Sequence, residues 1–164
     1  NRFVALITVC ILSSSCGGLS AGSSTSTSST LPNRCLPTPL SSVEVSSIVG
    51  FEIVGDYAYI ASYSDGLNII DISDPSNMSL VGDYDAGSTN SIKIIGNYAY
   101  VGAGFNGLHV VDVPDPVNPN FVFNLEDPGY RTGPMEVKGN YLYLGSNKPE
   151  VKVIDITTIN ELIA

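Results

Sequence analysis

The chain has 164 residues, of which 16 are acidic and 7 are basic, so its formal net charge is −9. This excess of acidic residues argues against a nucleic-acid partner, because a surface that binds nucleic acid needs clustered Lys and Arg side chains to displace counterions from the phosphates. Three cysteines are too few for a disulfide framework, and the odd number leaves at least one without an intrachain partner.

Residues 1–15 have the layout of a secretory signal peptide. Arg2 precedes an uncharged apolar stretch over residues 3–12, which is about half of the roughly 20 residues that a membrane-spanning helix needs. The absence of an initiator Met suggests that the charged start of the signal has been clipped. We therefore predict that the chain is exported and that residues 1–15 are removed.

The sequence LSSSCGG, residues 12–18, resembles the lipobox of bacterial lipoproteins, in which a cysteine is lipidated on sulfur and becomes the new N-terminus. It departs from the family pattern because Leu12 stands four residues before Cys16 instead of three. The resemblance implies that Cys16 is a lipid attachment site that holds the protein on the cell envelope. The alternative is ordinary signal-peptidase cleavage near Ser20 and Ala21, which would release a secreted protein.

Residues 16–44 are rich in Ser, Thr, Gly and Pro and contain few large apolar side chains. Such a segment buries too little surface to offset its ordering entropy, so we predict a flexible tether. Cys35 lies in this tether and would be a free thiol once Cys16 is acylated, while Cys10 belongs to the signal segment.

The remainder of the chain, residues 45–164, contains a threefold repeat. The segments that begin at residues 53, 94 and 137 align, and their turn glycines and strand-end aspartates recur at intervals of 41 and 43 residues. The repeated glycines are Gly55, Gly96 and Gly139, and the repeated aspartates are Asp71, Asp112 and Asp155. Periods of about 40–45 residues are typical of β-propeller blades.

Each period is predicted to contain four short antiparallel strands. In the second period an alternating run over residues 91–95 is followed by Gly96-Asn97, a two-residue hairpin turn, and by an aromatic and β-branched strand. A third strand runs from Leu108, and Asp115-Pro116 interrupts it before a fourth strand over residues 121–125. The fold class is therefore all-β, with about three four-stranded propeller blades that form an incomplete ring, because closed propellers typically have 4–8 blades.

The strings GLNIIDISDPSN and GLHVVDVPDPVN resemble the LVIVD repeat, which is found in extracellular and cell-surface β-propeller proteins of bacteria and archaea. The third period departs from this pattern, because Lys148-Pro149-Glu150 replaces the Asp-Gly or Asn-Gly turn and Thr157-Thr158 replaces Asp-Pro. The resemblance implies the fold and an extracellular location rather than a particular activity. The sequence would then be part of a longer propeller protein.

The repeated aspartates have two interpretations: a ring of carboxylates for calcium or acid–base chemistry, or acceptors for backbone N–H groups at strand ends. We favour the structural role, because a residue that recurs in every blade is usually part of how blades are built. For the same reason Tyr59, Tyr100 and Tyr143 are predicted to pack between sheets. His109 is the single histidine, and its equivalents Asn68 and Lys152 suggest a solvent-facing position.

No catalytic motif or cofactor-binding motif occurs in the sequence. We therefore predict a cell-surface, lipid-anchored binding module that is not an enzyme, uses no cofactor and binds a protein or glycan ligand through its loops. The alternative is a partial propeller of a secreted hydrolase or lyase whose catalytic residues lie in other blades.

Overall fold

A computed structural model describes the backbone of residues 4–6 and the full structure of residues 38–126 and 131–157. The predicted lipid attachment site Cys16, most of the predicted tether, and both Cys10 and Cys35 lie outside the described residues.

The described chain is almost entirely β-structure and contains three meandering antiparallel sheets. The first sheet comprises β3 (Ile48–Val54), β4 (Tyr57–Ser62), β5 (Gly66–Asp71) and β6 (Ser79–Tyr84). The second comprises β7 (Ser91–Ile95), β8 (Tyr98–Gly102), β9 (Leu108–Asp112) and β10 (Asn120–Leu125), with the 3-10 turn η1 (Gly104–Asn106) before β9. The third comprises β11 (Thr132–Lys138), β12 (Tyr141–Ser146) and β13 (Val151–Asp155). Within each sheet the strands follow one another in chain order.

The predicted propeller blades are confirmed, with one sheet for each period. The first two blades have four strands, and the third has three among the described residues. A separate two-stranded sheet joins β1 (Val4–Leu6) to β2 (Glu44–Ser46). Because β1 lies in the predicted signal peptide, the predicted cleavage before Cys16 would remove it.

A tight hairpin begins every blade. Gly55, Gly96 and Gly139 have φ values of 58°, 59° and 60°, and no non-glycine residue of the described chain has a positive φ. A positive φ at the first turn position alone is the pattern of a type II′ turn, whose twist matches that of the flanking strands. The second residue of each turn makes the same hydrogen bond in all three blades. Its carbonyl accepts from the N–H of the residue after the third strand, as in the 2.8 Å bond from Ile72 N to Asp56 O.

The blades pack face to face. We call the face that a blade turns toward the following blade its front face, and the opposite one its back face. The front face of the first blade, with Tyr59, Leu67 and Ile69, packs on the back face of the second, where Ile92 and Val101 lie. Alternate residues of a strand point to opposite faces, so each central strand contributes to two cores.

The second interface repeats the first. The front face of the second blade presents Tyr100, Leu108 and Val110 to Met135 and Leu142 on the back face of the third. Thr89 and Thr132 add equivalent buried hydrogen bonds, since Thr89 Oγ1 donates to Ser62 O at 2.6 Å and Thr132 Oγ1 donates to Gly104 O at 3.2 Å. Burial of Tyr100 raises the pKa of its phenol.

Residues 38–48 pack on the back face of the first blade. Val45 is buried with Ala58, Ile60 and Ile70, and Val43 packs against the same cluster. The final residues of the predicted tether, 38–44, therefore contact the first sheet. The physical reason is that Val43 and Val45 alternate with polar residues, so both place apolar side chains against the apolar back faces of β4 and β5.

Candidate binding cleft

The first strands of the three blades run side by side and line a cleft of about 570 Å³. This is the position of the central channel in a propeller. The cleft is lined by Val49–Phe51 from β3, by Asn90–Lys93 from the start of β7, by Arg131–Glu136 of the third blade, and by Ser146 and Asn147 after β12. Its charged lining residues are Lys93, Arg131 and Glu136.

Hydrogen bonds between blades hold the walls of the cleft at fixed positions. Ser91 Oγ donates to Gly133 O at 2.6 Å, and the Asn90 side-chain amide donates to the Thr132 carbonyl. On the other side, Glu52 Oε2 accepts from the backbone N–H of Ile94 at 2.8 Å. These bonds tie the second blade to both neighbours, so the cleft is a preformed feature of the packed blades.

The sign of the charge alternates along the first strands of the three blades. Glu52, Lys93 and Glu136 occupy equivalent positions of the three repeats, on the first strand of each blade. Lys93 Nζ lies 3.2 Å from Glu136 Oε2, and the Glu136 side chain is 80% exposed. An exposed ion pair of this kind contributes about 0–1 kcal/mol to stability.

Arg131 lines the cleft and lies beside Phe105, which is not one of the lining residues. The Arg131 guanidinium carbon lies 5.8 Å from the centre of the Phe105 ring, and Phe105 is 72% exposed. The backbone of Arg131 is fixed from both sides, because Arg131 N donates to Asn147 Oδ1 at 3.0 Å and Asn147 N donates to Arg131 O at 3.3 Å. Among the described residues, Arg131 forms no ion pair with a carboxylate.

Sequence reasoning did not single out Arg131 or Phe105, although the repeat contained a signal for both. Arg131 stands where the first two repeats have Ser47 and Ser88, and Phe105 stands where the other repeats have Ser64 and Lys148. A residue that departs from its repeat equivalents is free of the constraints of blade construction. Such departures are therefore better markers of a site than repeated residues.

The repeated aspartates lie at the strand ends, apart from the cleft. Asp71 Oδ1 accepts from Ser73 N at 2.8 Å, and Asp155 Oδ1 accepts from Thr157 N at 3.0 Å and from Thr157 Oγ1 at 2.6 Å. These hydroxyl and N–H donors hold the pKa of both carboxyls below the ordinary value. Asp112 cannot make the equivalent hydrogen bond to a backbone N–H, because the residue two positions later is Pro114, which has no N–H to donate.

His109 does not face solvent as its repeat equivalents suggested. It is half-buried between the first and second blades, where its Nδ1 and the Tyr84 hydroxyl share a hydrogen bond of 3.0 Å. Phe121 packs edge-on against the imidazole, with the ring centres 5.9 Å apart. Burial lowers the pKa of His109, against the opposing influence of the Asn106 carbonyl and the Glu126 charge.

The described residues contain neither a cluster of metal-ligating side chains nor a membrane-spanning helix. No group of three or more His, Cys, Asp or Glu side chains lies close enough together to hold a metal ion within residues 38–126 and 131–157. In the same part of the chain, no helix has the length and apolar character that crossing a bilayer requires.

The blades and their repeated turns define a propeller-type repeat protein. The LVIVD repeat matches this chain over residues 50–86, 86–127 and 131–158, which together make up more than half of it. The chain belongs to the LVIVD repeat family. No curated protein sequence matches the chain.

Three solved structures align with this chain at low sequence identity, and only the first of them has a TM-score above 0.5. The computationally designed Ika8 protein aligns with a TM-score of 0.55 and 17% identity over 68% of this chain and 34% of its own, so the chain spans about a third of the length of Ika8. The designed Ika4 protein aligns over 67% of this chain and 91% of its own, with a TM-score of 0.44 and 11% identity. A chain from a S. cerevisiae complex of Dbp5 with Nup159 and Gle1 aligns over 71% of this chain and 32% of its own, with a TM-score of 0.46 and 13% identity.

Proposed function

We propose that this chain is an exported, lipid-anchored binding module of the cell envelope, and that its protein or glycan ligand binds in the cleft along the first strands. The blades supply a rigid scaffold. The signal-like start and Cys16 support the proposed export and anchoring. The proposed role is binding rather than catalysis, and it requires no cofactor.

The Arg131–Phe105 pair is the observation that carries the binding proposal. A planar guanidinium presents donors in a fork that matches a carboxylate, and a neighbouring aromatic face adds a stacking surface. No ion pair joins Arg131 to a carboxylate among residues 38–126 and 131–157, which supports the proposal that its donors bind a ligand. The proposed ligand therefore carries a carboxylate, either as an acidic sugar or as an acidic peptide side chain.

Binding is tested with matched acidic and neutral probes. Uronic-acid oligosaccharides, their neutral counterparts, and acidic and amide-substituted peptides are titrated against the full chain. We expect binding of acidic members only, and we expect Arg131→Ala to remove it. Lys138→Ala is the matched control, because Lys138 is an exposed cation of the same blade outside the cleft. Equal binding by the Arg131→Ala variant, or equal binding of the neutral probes, would contradict the proposal.

The anchor is tested separately from the ligand. Cells that express the chain are grown with a labelled fatty acid, and the label is followed in the wild type, in Cys16→Ser and in Cys35→Ser. We expect label in the wild type and in Cys35→Ser but not in Cys16→Ser. Absence of label from all three proteins would contradict the lipid anchor and would favour a secreted protein.

A further inference from the structure

Lys93 inverts the charge of its repeat position. Its equivalents, Glu52 in the first blade and Glu136 in the third, are both acidic. Lys93 lines the same cleft as Arg131, which stands where the other repeats have serine. Blade construction requires neither cation, because the other blades form without them. The cleft therefore holds two cations at positions where the rest of the repeat places no positive charge.

The two carboxylates at the equivalent positions are held in different ways. Glu52 Oε2 accepts from Ile94 N at 2.8 Å, so this carboxylate is committed to the backbone of the second blade. Glu136 contacts Lys93 instead, with 3.2 Å between Oε2 and Nζ, and its side chain is exposed. Water screens an exposed ion pair of this kind, so the pair contributes little to stability. A carboxylate of a ligand can therefore take the place of Glu136 on Lys93.

The two cations lie at separate points along the third blade's side of the cleft. Glu136 is the fifth residue after Arg131, and a strand rises about 3.4 Å per residue, so the two backbone positions are at most about 17 Å apart. Lys93 reaches the Glu136 end of this segment. The cleft volume of about 570 Å³ lies within the range of about 300–1,000 Å³ that is typical of small-molecule sites. These dimensions suit a short oligomer that carries more than one carboxylate.

The inner edges of the first strands are already occupied by side chains. β7 pairs with β8 and β11 pairs with β12, so the other edges of β7 and β11 face the cleft. An extended peptide binds such an edge by adding a strand to it. Here, however, side chains of the second blade donate to the carbonyls of Thr132 and Gly133, and Glu52 accepts from the Ile94 N–H. These backbone groups are not available to an added strand, which favours an acidic oligosaccharide over an acidic peptide.

We propose that the cleft binds an acidic oligosaccharide through two carboxylates, one on Arg131 and one on Lys93, an inference that rests on the proposed function because the Arg131 contact is the first of the two. The second carboxylate displaces Glu136 from Lys93. Glu136 thereby contributes to specificity, since a neutral sugar chain leaves the Lys93–Glu136 pair in place and gains no contact there. An acidic chain exchanges one carboxylate for another, and the link between its two contacts raises the overall affinity.

The length of the ligand separates the two contacts. Galacturonic acid carries one carboxylate and trigalacturonic acid carries three, and both are titrated against the full chain. We expect the trimer to bind at least about tenfold more tightly than the monomer, because the second contact is intramolecular once the first has formed. This gain exceeds the roughly threefold increase that three independent carboxylates give by number alone. The methyl-esterified trimer, which has the same length and no charge, should not bind.

Two variants test Lys93 and Glu136 in opposite directions. Lys93→Gln should lower the affinity for the trimer about tenfold and leave the affinity for the monomer unchanged. Glu136→Gln should raise the affinity for the trimer about fivefold, because no internal carboxylate then competes for Lys93. Lys138→Gln and Glu150→Gln are the matched controls, since both residues are exposed on the same blade outside the cleft, and they should change neither affinity. Circular dichroism checks that each variant is folded.

The Arg131 contact and the Lys93 contact fail in different ways. Equal affinity for the monomer and the trimer, or no effect of Lys93→Gln on the trimer, would overturn the two-carboxylate contact. If Arg131→Ala still removed binding in that case, the proposed function would stand without it. Weaker binding of the trimer by Glu136→Gln would overturn the exchange of carboxylates on Lys93. Failure of the wild type to bind either acidic sugar would contradict the proposed function and the second contact together.

Discussion

The second and third blades share the alternation of apolar residues along their strands but have very different surroundings. In the second blade both faces are covered, so Leu108 and Val110 lie in the core. In the third blade the equivalent Val151 and Val153 are more than half exposed. An apolar strand in a propeller therefore indicates a face that requires a neighbour, and the sequence pattern of a single blade does not say whether that neighbour is present.

The largest expected effect comes from truncating the covered member of this pair. Leu108→Ala should lower the free energy of unfolding by about 2–5 kcal/mol, because it leaves a cavity between two packed blades. Val151→Ala should cost less than about 0.5 kcal/mol, because this side chain is 65% exposed. Urea unfolding measures both, and equal losses would contradict the assignment of open and covered faces.

Glycine positions give the next largest contrast. Gly107 has a φ of 90°, and a Cβ there would lie 2.5 Å from Leu125 O on the fourth strand. Gly107→Ala should therefore cost about 2–3 kcal/mol. Gly96 has a φ of 59° with no atom within 4 Å of the added Cβ, so Gly96→Ala should cost about 1 kcal/mol from backbone strain alone.

The third blade supplies a natural version of the Gly107 experiment. Glu150 stands at the position of Gly107, in a sheet that has no fourth strand among the described residues. Thermal unfolding of the two alanine variants provides the comparison. A Gly96→Ala loss as large as that of Gly107→Ala would show that the carbonyl contact with β10 has no energetic role.

The buried threonine hydroxyls between blades should have a smaller effect. Thr89→Val and Thr132→Val each remove one donor to a backbone carbonyl, at a cost of about 1 kcal/mol. Chemical denaturation measures the two losses. We expect Thr89→Val to cost at least as much, because the bond from Thr89 Oγ1 to Ser62 O is 2.6 Å long, whereas the bond from Thr132 Oγ1 to Gly104 O is 3.2 Å long. An unchanged free energy of unfolding in both variants would show that these hydrogen bonds do not stabilise the packing of the blades.

The smallest effect is the pH dependence at His109. Its pKa in the folded chain is lowered from 6.5 by burial, so the unfolded chain binds more protons in the window between the folded and unfolded pKa values. Stability should therefore be present above about pH 6.5 and fall as the pH drops through that window. The melting temperature of His109→Gln should change less over the same range, and an identical pH profile would contradict this assignment.

The fold could be predicted from local patterns. The intervals between Gly55, Gly96 and Gly139 place the hairpins, and the strand alternation gives the two faces of each blade. The position of His109 could not be read in this way, because the half-burial comes from Tyr84 on a neighbouring blade. Local pattern shows which face a side chain takes but not how deeply that face is covered.

The candidate site was less accessible to sequence reasoning. Arg131 and Phe105 are far apart in the chain and meet only because the third blade packs on the second. The packing of residues 38–44 was also missed, because they belong to the predicted tether and their contacts depend on an apolar face elsewhere. Contacts between blades join residues that are far apart in the chain. The repeat predicts such a contact only where both residues recur in every blade.

Binding of an acidic ligand at Arg131 is the central claim of the proposed function. Isothermal titration calorimetry of a uronic-acid oligosaccharide against the full chain and against its Arg131→Ala variant tests this claim most directly. We expect heat of binding from the wild type and none from the variant. Equal binding by the two proteins would contradict the proposal.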